Sequence, residues 1–117
     1  MLVVALISDL MMQSQVSGAA ARAGVHVDLV SSADALVAKA ETAEPQLVVI
    51  DLSHPGLVAR QVVEQLRAVL PSSATIMAFG PHVHKELLTA ATLAGCDIVI
   101  SRGQFHAQMA ELLKGPG

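Results

Sequence analysis

A chain of 117 residues, 53% of them hydrophobic and 15% charged, is sized for one compact domain and is too apolar to be disordered. Seven Lys and Arg against ten Asp and Glu leave a formal charge of −3 without a basic footprint, so no nucleic-acid partner is expected. Mean hydropathy is high at +0.58, yet the longest apolar run, Met1 to Ile7, falls far short of the ~20 residues that cross a bilayer, and it lacks the flanks of a secretory signal.

No membrane partner is therefore expected, and the expected location is cytoplasmic. The single Cys96 can form neither an intramolecular disulfide nor a zinc cluster, in keeping with a reducing compartment. Only Phe79 and Phe105 are aromatic, so the core must be aliphatic and stacking platforms for bases or sugars are lacking.

Five β-rich runs recur about 20 to 25 residues apart, leaving room for one helix between consecutive strands, the spacing of βαβ crossovers rather than hairpins. The first, residues 2–7, is continuously apolar, as a central strand covered on both faces would be. A helix from about Met11 to Ala23 follows; its small residues permit close approach to the sheet, and Gly24 ends it. The second strand, 25–30, carries His26 and Asp28 and reads as an edge. Ser31 or Ser32 caps the next helix, near 33–43, which Pro45 closes. The third strand, 46–51, is again continuously apolar until Asp51. Across 57–70, Leu57, Val58, Val62, Val63, Leu66, Val69 and Leu70 form a helical apolar stripe, stopped by Pro71. A strand at 74–79, a helix beginning near Lys85, a strand at 97–101 and one last helix bearing Phe105, Met109, Leu112 and Leu113 complete the pattern. The expected architecture is α/β: a three-layer αβα sandwich on a five-stranded parallel sheet of order 2-1-3-4-5, a single domain over 1–114 with a flexible tail at 115–117.

In open parallel α/β sheets, ligands collect at the carboxyl ends of the strands. There the sequence places Ser8 and Asp9, then Asp51, Ser53 and His54, then Phe79, Gly80, His82 and His84, and finally Ser101 and Arg102. Asp9 and Asp51 with the imidazoles of His54, His82 and His84 have the donor types of a mixed transition-metal site. The simpler reading of His82 and His84 is that they cap the fourth helix or are solvated. There is no GxSxG, GxGxxG or HExxH segment, so neither a serine hydrolase, a dinucleotide enzyme nor a zinc protease is indicated, and a binding protein rather than an enzyme is expected. The apolar fourth helix, ELLTAATLAG, with Val99 beside it, is a candidate partner-facing patch, or the same residues simply pack on the sheet.

Four segments carry a family resemblance: LVVALISDLM, PQLVVIDLSHPGL, ATIMAFG and AGCDIVISRGQF. In order and spacing they resemble the receiver domains of bacterial response regulators, flavodoxin-like proteins of the chemotaxis-regulator type, over nearly the whole chain. The resemblance implies a signalling role in a phosphorelay, with Asp51 as phosphoacceptor, Asp9 as the second acid of a metal-binding pair, and Ser53 lending a backbone carbonyl to a bound Mg²⁺. It sets Arg102 against the phosphoryl group. It also implies protein partners, a kinase or downstream effector, and a homodimer through the fourth helix, fifth strand and fifth helix. The chain departs from the family pattern at several positions. Ser8 replaces the first acid, Phe79 or Gly80 stands where a Thr or Ser hydroxyl is usual, and Arg102 replaces Lys. Val99 takes an aromatic's place, and Gly103 and Gln104 follow Arg102 where Pro is usual. Asp9 and Asp51 suffice in principle for Mg²⁺, which tolerates sites with one or two carboxylates.

Overall fold

Strands that are apolar on both faces need cover on both, and the chain supplies it. The computed structural model describes residues 1–115, so residues 116–117 of the expected tail lie outside the described residues. The elements run β1 (Leu2–Leu6), α1 (Leu10–Ala23), β2 (His26–Val30), α2 (Ala33–Ala43), β3 (Leu47–Asp51), α3 (Ala59–Val69), β4 (Thr75–Gly80), α4 (Lys85–Ala94), β5 (Ile98–Ser101), α5 (Arg102–Ala107) and α6 (Met109–Leu113). All four strand pairings are parallel and the sheet order is β2-β1-β3-β4-β5, as the spacing predicts.

Alternation along the central strands builds two cores. Val4, Leu6, Val48, Ile50, Ile76 and Ala78 face one layer, where Leu36 of α2, Leu66 of α3 and Ala91 of α4 pack. Val3, Ala5, Leu47, Val49, Met77 and Phe79 face the other, where Val16 of α1, Phe105 of α5 and Leu113 of α6 pack. Phe79 and Phe105 are both fully buried and stack face to face, with ring centroids 4.2 Å apart and planes 1° from parallel.

The local signals for the helix ends hold. Ser32 rather than Ser31 caps α2, its side chain accepting from Ala35 N–H, and Gly24 closes α1 in the left-handed region at φ 71°. The end of α2 differs slightly: Glu44 itself takes the left-handed conformation, at φ 50°, just ahead of Pro45. The expected single last helix is two. Gln108, at φ −117° and ψ 20°, interrupts it, so that α5 directs Phe105 and α6 directs Met109 and Leu113 into the same core. β2 is an edge strand, and Asp28 on it meets His26 Nε2 at 3.0 Å and Lys39 Nζ at 3.5 Å. No described helix is long and apolar enough to cross a membrane.

At the amino ends of β4 and β5 a clasp holds the sheet's other edge. Asp97 Oδ2 accepts from Ile76 N–H at 2.8 Å and from Arg67 Nη2 at 2.9 Å, and the same guanidinium reaches the carbonyl of Gly95 at 3.0 Å. Partial burial pushes the Asp97 carboxyl upward, but the Ile76 N–H and the Arg67 charge together hold it below its ordinary value. The unfolded chain therefore takes up this proton first, so the stabilisation is present above the unfolded carboxyl pKa and is lost as pH falls through the lowered native value. Urea midpoints followed from pH about 6 to about 2 should show a shallower acid decline in Asp97→Asn than in the parent chain. An identical decline would mean that the clasp is not coupled to folding. The neighbouring Cys96 is half-buried, and burial pushes its thiol up to about 11, which leaves it an unreactive packing residue.

Candidate functional site at the carboxyl ends of the strands

β1 and β3 are neighbours in the sheet, so their carboxyl ends bring Ser8, Asp9 and Asp51 to one crevice. Asp51 is the one buried charged residue among those described, with 1% of its surface exposed. Its carboxylate accepts from three donors of its own chain. Oδ1 accepts from the Ser53 N–H at 3.0 Å and the Ser53 hydroxyl at 2.6 Å, and Oδ2 accepts from the Ser8 N–H at 3.1 Å. A carboxylate offers about four lone-pair positions, so these three bonds use most of its capacity. Ser53 thus meets Asp51 through two donors, its N–H and its hydroxyl.

Asp9 does different work. Its Oδ1 accepts from Met11 N–H at 3.1 Å, making it the N-cap of α1, where the helix dipole favours a negative charge. Its Oδ2 pairs with Arg102 Nη2 at 2.8 Å, an ion pair that joins positions 93 residues apart. Arg102 is delivered by a feature visible in the sequence SRGQ. The Ser101 side chain accepts from Gln104 N–H while the Gln104 side chain returns to Ser101 N–H, a capping box that starts α5 at Arg102. Gln104 is thus part of the helix start, in the region where the resemblance places Pro.

The histidines do not gather. His54 Nδ1 lies 3.2 Å from the Ser8 hydroxyl, and His84 Nδ1 lies 3.4 Å from Glu86. His82 lines an open cleft of about 490 Å³ with Asp9, Met11, Pro81, Val83 and Arg102. Among the described residues no group of three or more His, Cys, Asp or Glu side chains is placed to hold a metal ion. The expected mixed site of His54, His82 and His84 with the two aspartates is therefore not assembled. Two-apart spacing in a turn sends His82 and His84 to different neighbours, and Ser8 engages His54. His84 does occupy the N-cap position of α4, but its side chain makes no capping bond.

β4 ends without a hydroxyl. Phe79 turns into the core against Phe105, and a Cβ added at Gly80 would stand 3.3 Å from Leu52 Cβ, tighter than side chains ordinarily pack, and in ordinary contact with Leu88 at 3.6 Å. Neither residue supplies a hydroxyl donor at this strand end.

The donor set also bears on Mg²⁺. That ion requires near-octahedral oxygen coordination and is usually held through one or two carboxylates. Here one carboxylate accepts three bonds, the other is neutralised by a guanidinium, and the neighbouring Ser8 supplies no charge. At an effective dielectric of about 20, a guanidinium some 4 Å from an incoming cation opposes it by about 4 kcal/mol per unit of that cation's charge. As arranged, the residues do not fit Mg²⁺.

No protein-family model matches the chain, and no curated protein matches it in sequence. Solved structures do match. The chain is similar to a response-regulator signal receiver domain from Bermanella marisrubri, with a TM-score of 0.81 and 19% identity, covering 97% of this chain and 94% of that one. The fold is the receiver fold. A receiver domain of a sensor histidine kinase from Pseudomonas aeruginosa, crystallised with magnesium in its active-site cleft, matches with a TM-score of 0.81 and 16% identity, over 97% and 93% of the two chains. A third, from Saccharomyces cerevisiae, is a receiver domain in complex with a histidine phosphotransfer protein, at a TM-score of 0.79 and 15% identity over 97% and 87%. At these identities the likeness extends to the fold, and the differences in this cleft belong to this chain.

On the expected partner face, α4 buries Ala91 and packs Leu87 and Leu88 against the core, as does Val99 of β5. Only Leu93, 83% exposed, projects as a large apolar group from α4. Two exposed apolar side chains missed by the sequence reading, Met11 and Val83, line the cleft beside Arg102. Val83 sits in the loop before α4, where periodicity gives no signal, and Met11 lies in the first turn of α1 on the face turned away from the core.

Proposed function

We propose that the chain is a divergent receiver-type signalling module that acts by binding another protein, a kinase, a downstream effector or a second copy through α4, β5 and α5, and that this contact does not depend on an aspartyl phosphate. The carrying observation is Asp51. At the phosphoacceptor position of the receiver fold it is buried and bonded by Ser8 and Ser53 donors. Phosphoryl transfer needs a free, accessible nucleophilic oxygen and a cation to offset charge on the transferring group. Here both oxygens already accept hydrogen bonds, Arg102 is spent on Asp9, and β4 ends in Phe79 and Gly80. Asp51 acts in this reading as a tie between the ends of β1 and β3. The similar yeast receiver bound to a phosphotransfer protein supports protein contact as the mode of action.

The test is incubation of the chain with Mg²⁺ and acetyl phosphate, or beryllofluoride, followed by intact-mass and fluoride-19 NMR measurements on the parent and on Asp51→Asn. No phosphoryl adduct and no bound beryllofluoride resonance are expected in either protein. An adduct in the parent that disappears in Asp51→Asn would establish a phosphorylated receiver and overturn the reading.

A further inference from the structure

We infer that Arg102 is a built-in counter-ion that stands in for a divalent cation, so that the crevice keeps its arrangement without metal and takes up none. Three observations converge on it. The guanidinium sits on the one cleft carboxylate that retains substantial exposure: the side chains of Arg102 and Asp9 are 38% and 44% exposed, and their nitrogen and oxygen are 2.8 Å apart. The other carboxylate, Asp51, is satisfied by neutral donors and needs no ion to offset an unpaired oxygen. Among the described residues no buried side-chain nitrogen or oxygen lacks a partner, so no orphaned ligand atom awaits a cation.

The charges are consistent with this assignment. Two carboxylates and one guanidinium leave the cluster at −1, and Ser8 adds nothing to it. Arginine suits the role because it stays charged at all working pH values and its flat fork holds a carboxylate oxygen at a fixed direction. Its position is set by the Ser101 and Gln104 capping box at one end of α5 and by buried Phe105 three residues on. The ion pair therefore fastens the start of α5 to the start of α1. This inference stands apart from the partner-binding reading, since it concerns only what balances the charge in the crevice.

Removing the guanidinium should uncover a metal site. Mn²⁺, read by electron paramagnetic resonance of the free ion and by water-proton relaxation, is the probe, with the full chain as parent, Arg102→Gln, Arg102→Lys and the double variant Arg102→Gln with Asp9→Asn. Melting temperatures in MgCl2, compared with NaCl at matched ionic strength, supply a second readout. The parent and Arg102→Lys should bind Mn²⁺ at least about tenfold more weakly than Arg102→Gln, whose melting temperature alone should rise in Mg²⁺, and the gain should vanish in the double variant. Mn²⁺ binding by the parent as tight as by Arg102→Gln, no gain in Arg102→Gln, or a gain that survives loss of Asp9 would each overturn the proposal. If Arg102→Gln does not fold, the parent decides: a Mg²⁺-specific rise in its melting temperature overturns the proposal, and none upholds it.

Discussion

Phe105→Ala should lower the unfolding free energy by about 4 kcal/mol, within the range found when a buried aromatic is cut back to a methyl group. Phe105 and Phe79 are the chain's only aromatic side chains, and both are fully buried. Each supplies a large part of the core beneath α1, α5 and α6. Removing one ring leaves a void that the surrounding aliphatic residues close only in part, and the remaining ring loses its stacking partner. Urea denaturation of the parent, Phe105→Ala, Phe79→Ala and the double variant measures both effects, with a coupling of about 1 kcal/mol expected between the rings. A loss below about 1 kcal/mol in Phe105→Ala would mean that α5 is not docked on the sheet. The variant also reaches the crevice, because Phe105 anchors the helix whose first residue is Arg102. Weakening of the Asp9 to Arg102 pair should accompany the loss of stability.

Asp51→Ala is the second large effect, expected at about 3 kcal/mol, or a fall of roughly 10 °C in melting temperature. Hydrogen bonds to an ionised group are worth about 1.5 to 3 kcal/mol each, partly offset by relief of the buried charge. The substitution leaves the Ser8 N–H, the Ser53 N–H and the Ser53 hydroxyl without their acceptor. Asp51→Asn keeps one oxygen but turns an amide NH2 toward a donor, so it should lose about half as much. Ser53→Ala removes only the 2.6 Å hydroxyl contact and should fall between Asp51→Asn and the parent. Calorimetric or urea measurements on this series check the order. A neutral or stabilising Asp51→Ala would show that the carboxylate is held under strain and is kept for chemistry instead.

The sheet was legible because its signals are periodic and local. Continuous apolar runs at 2–7 and 46–51 mark central strands, the polar residues in 25–30 mark an edge, and the spacing forbids hairpins. The strand-end rule then places Asp51 in the crevice. Its hydrogen bonds were partly legible too, since a serine two residues after an aspartate is a familiar local pairing. The pair between Asp9 and Arg102 was not, because a contact across 93 residues depends on sheet order and helix docking together. The SRGQ capping box was present in the sequence but lay in a segment that resembles a different strand ending. The break at Gln108 has no Pro or Gly to announce it. From sequence the α4 stripe reads equally as partner-facing or as packed on the sheet, because periodicity identifies one apolar face but not its partner; Leu87 and Leu88 turn inward and Leu93 remains outside.

The two rims of the sheet are unequally defended. β2 ends the sheet on one side with charges in place, Asp28 between His26 and Lys39, and a foreign strand pairing there would have to displace or desolvate them. β5 ends it on the other with Ile98, Val99, Ile100 and Ser101, none of them charged. Its protection is brevity, because four residues followed at once by α5 offer an incoming backbone few hydrogen bonds. Any lengthening of β5 at the expense of the Ser101 cap would convert that rim into a template for edge-to-edge aggregation.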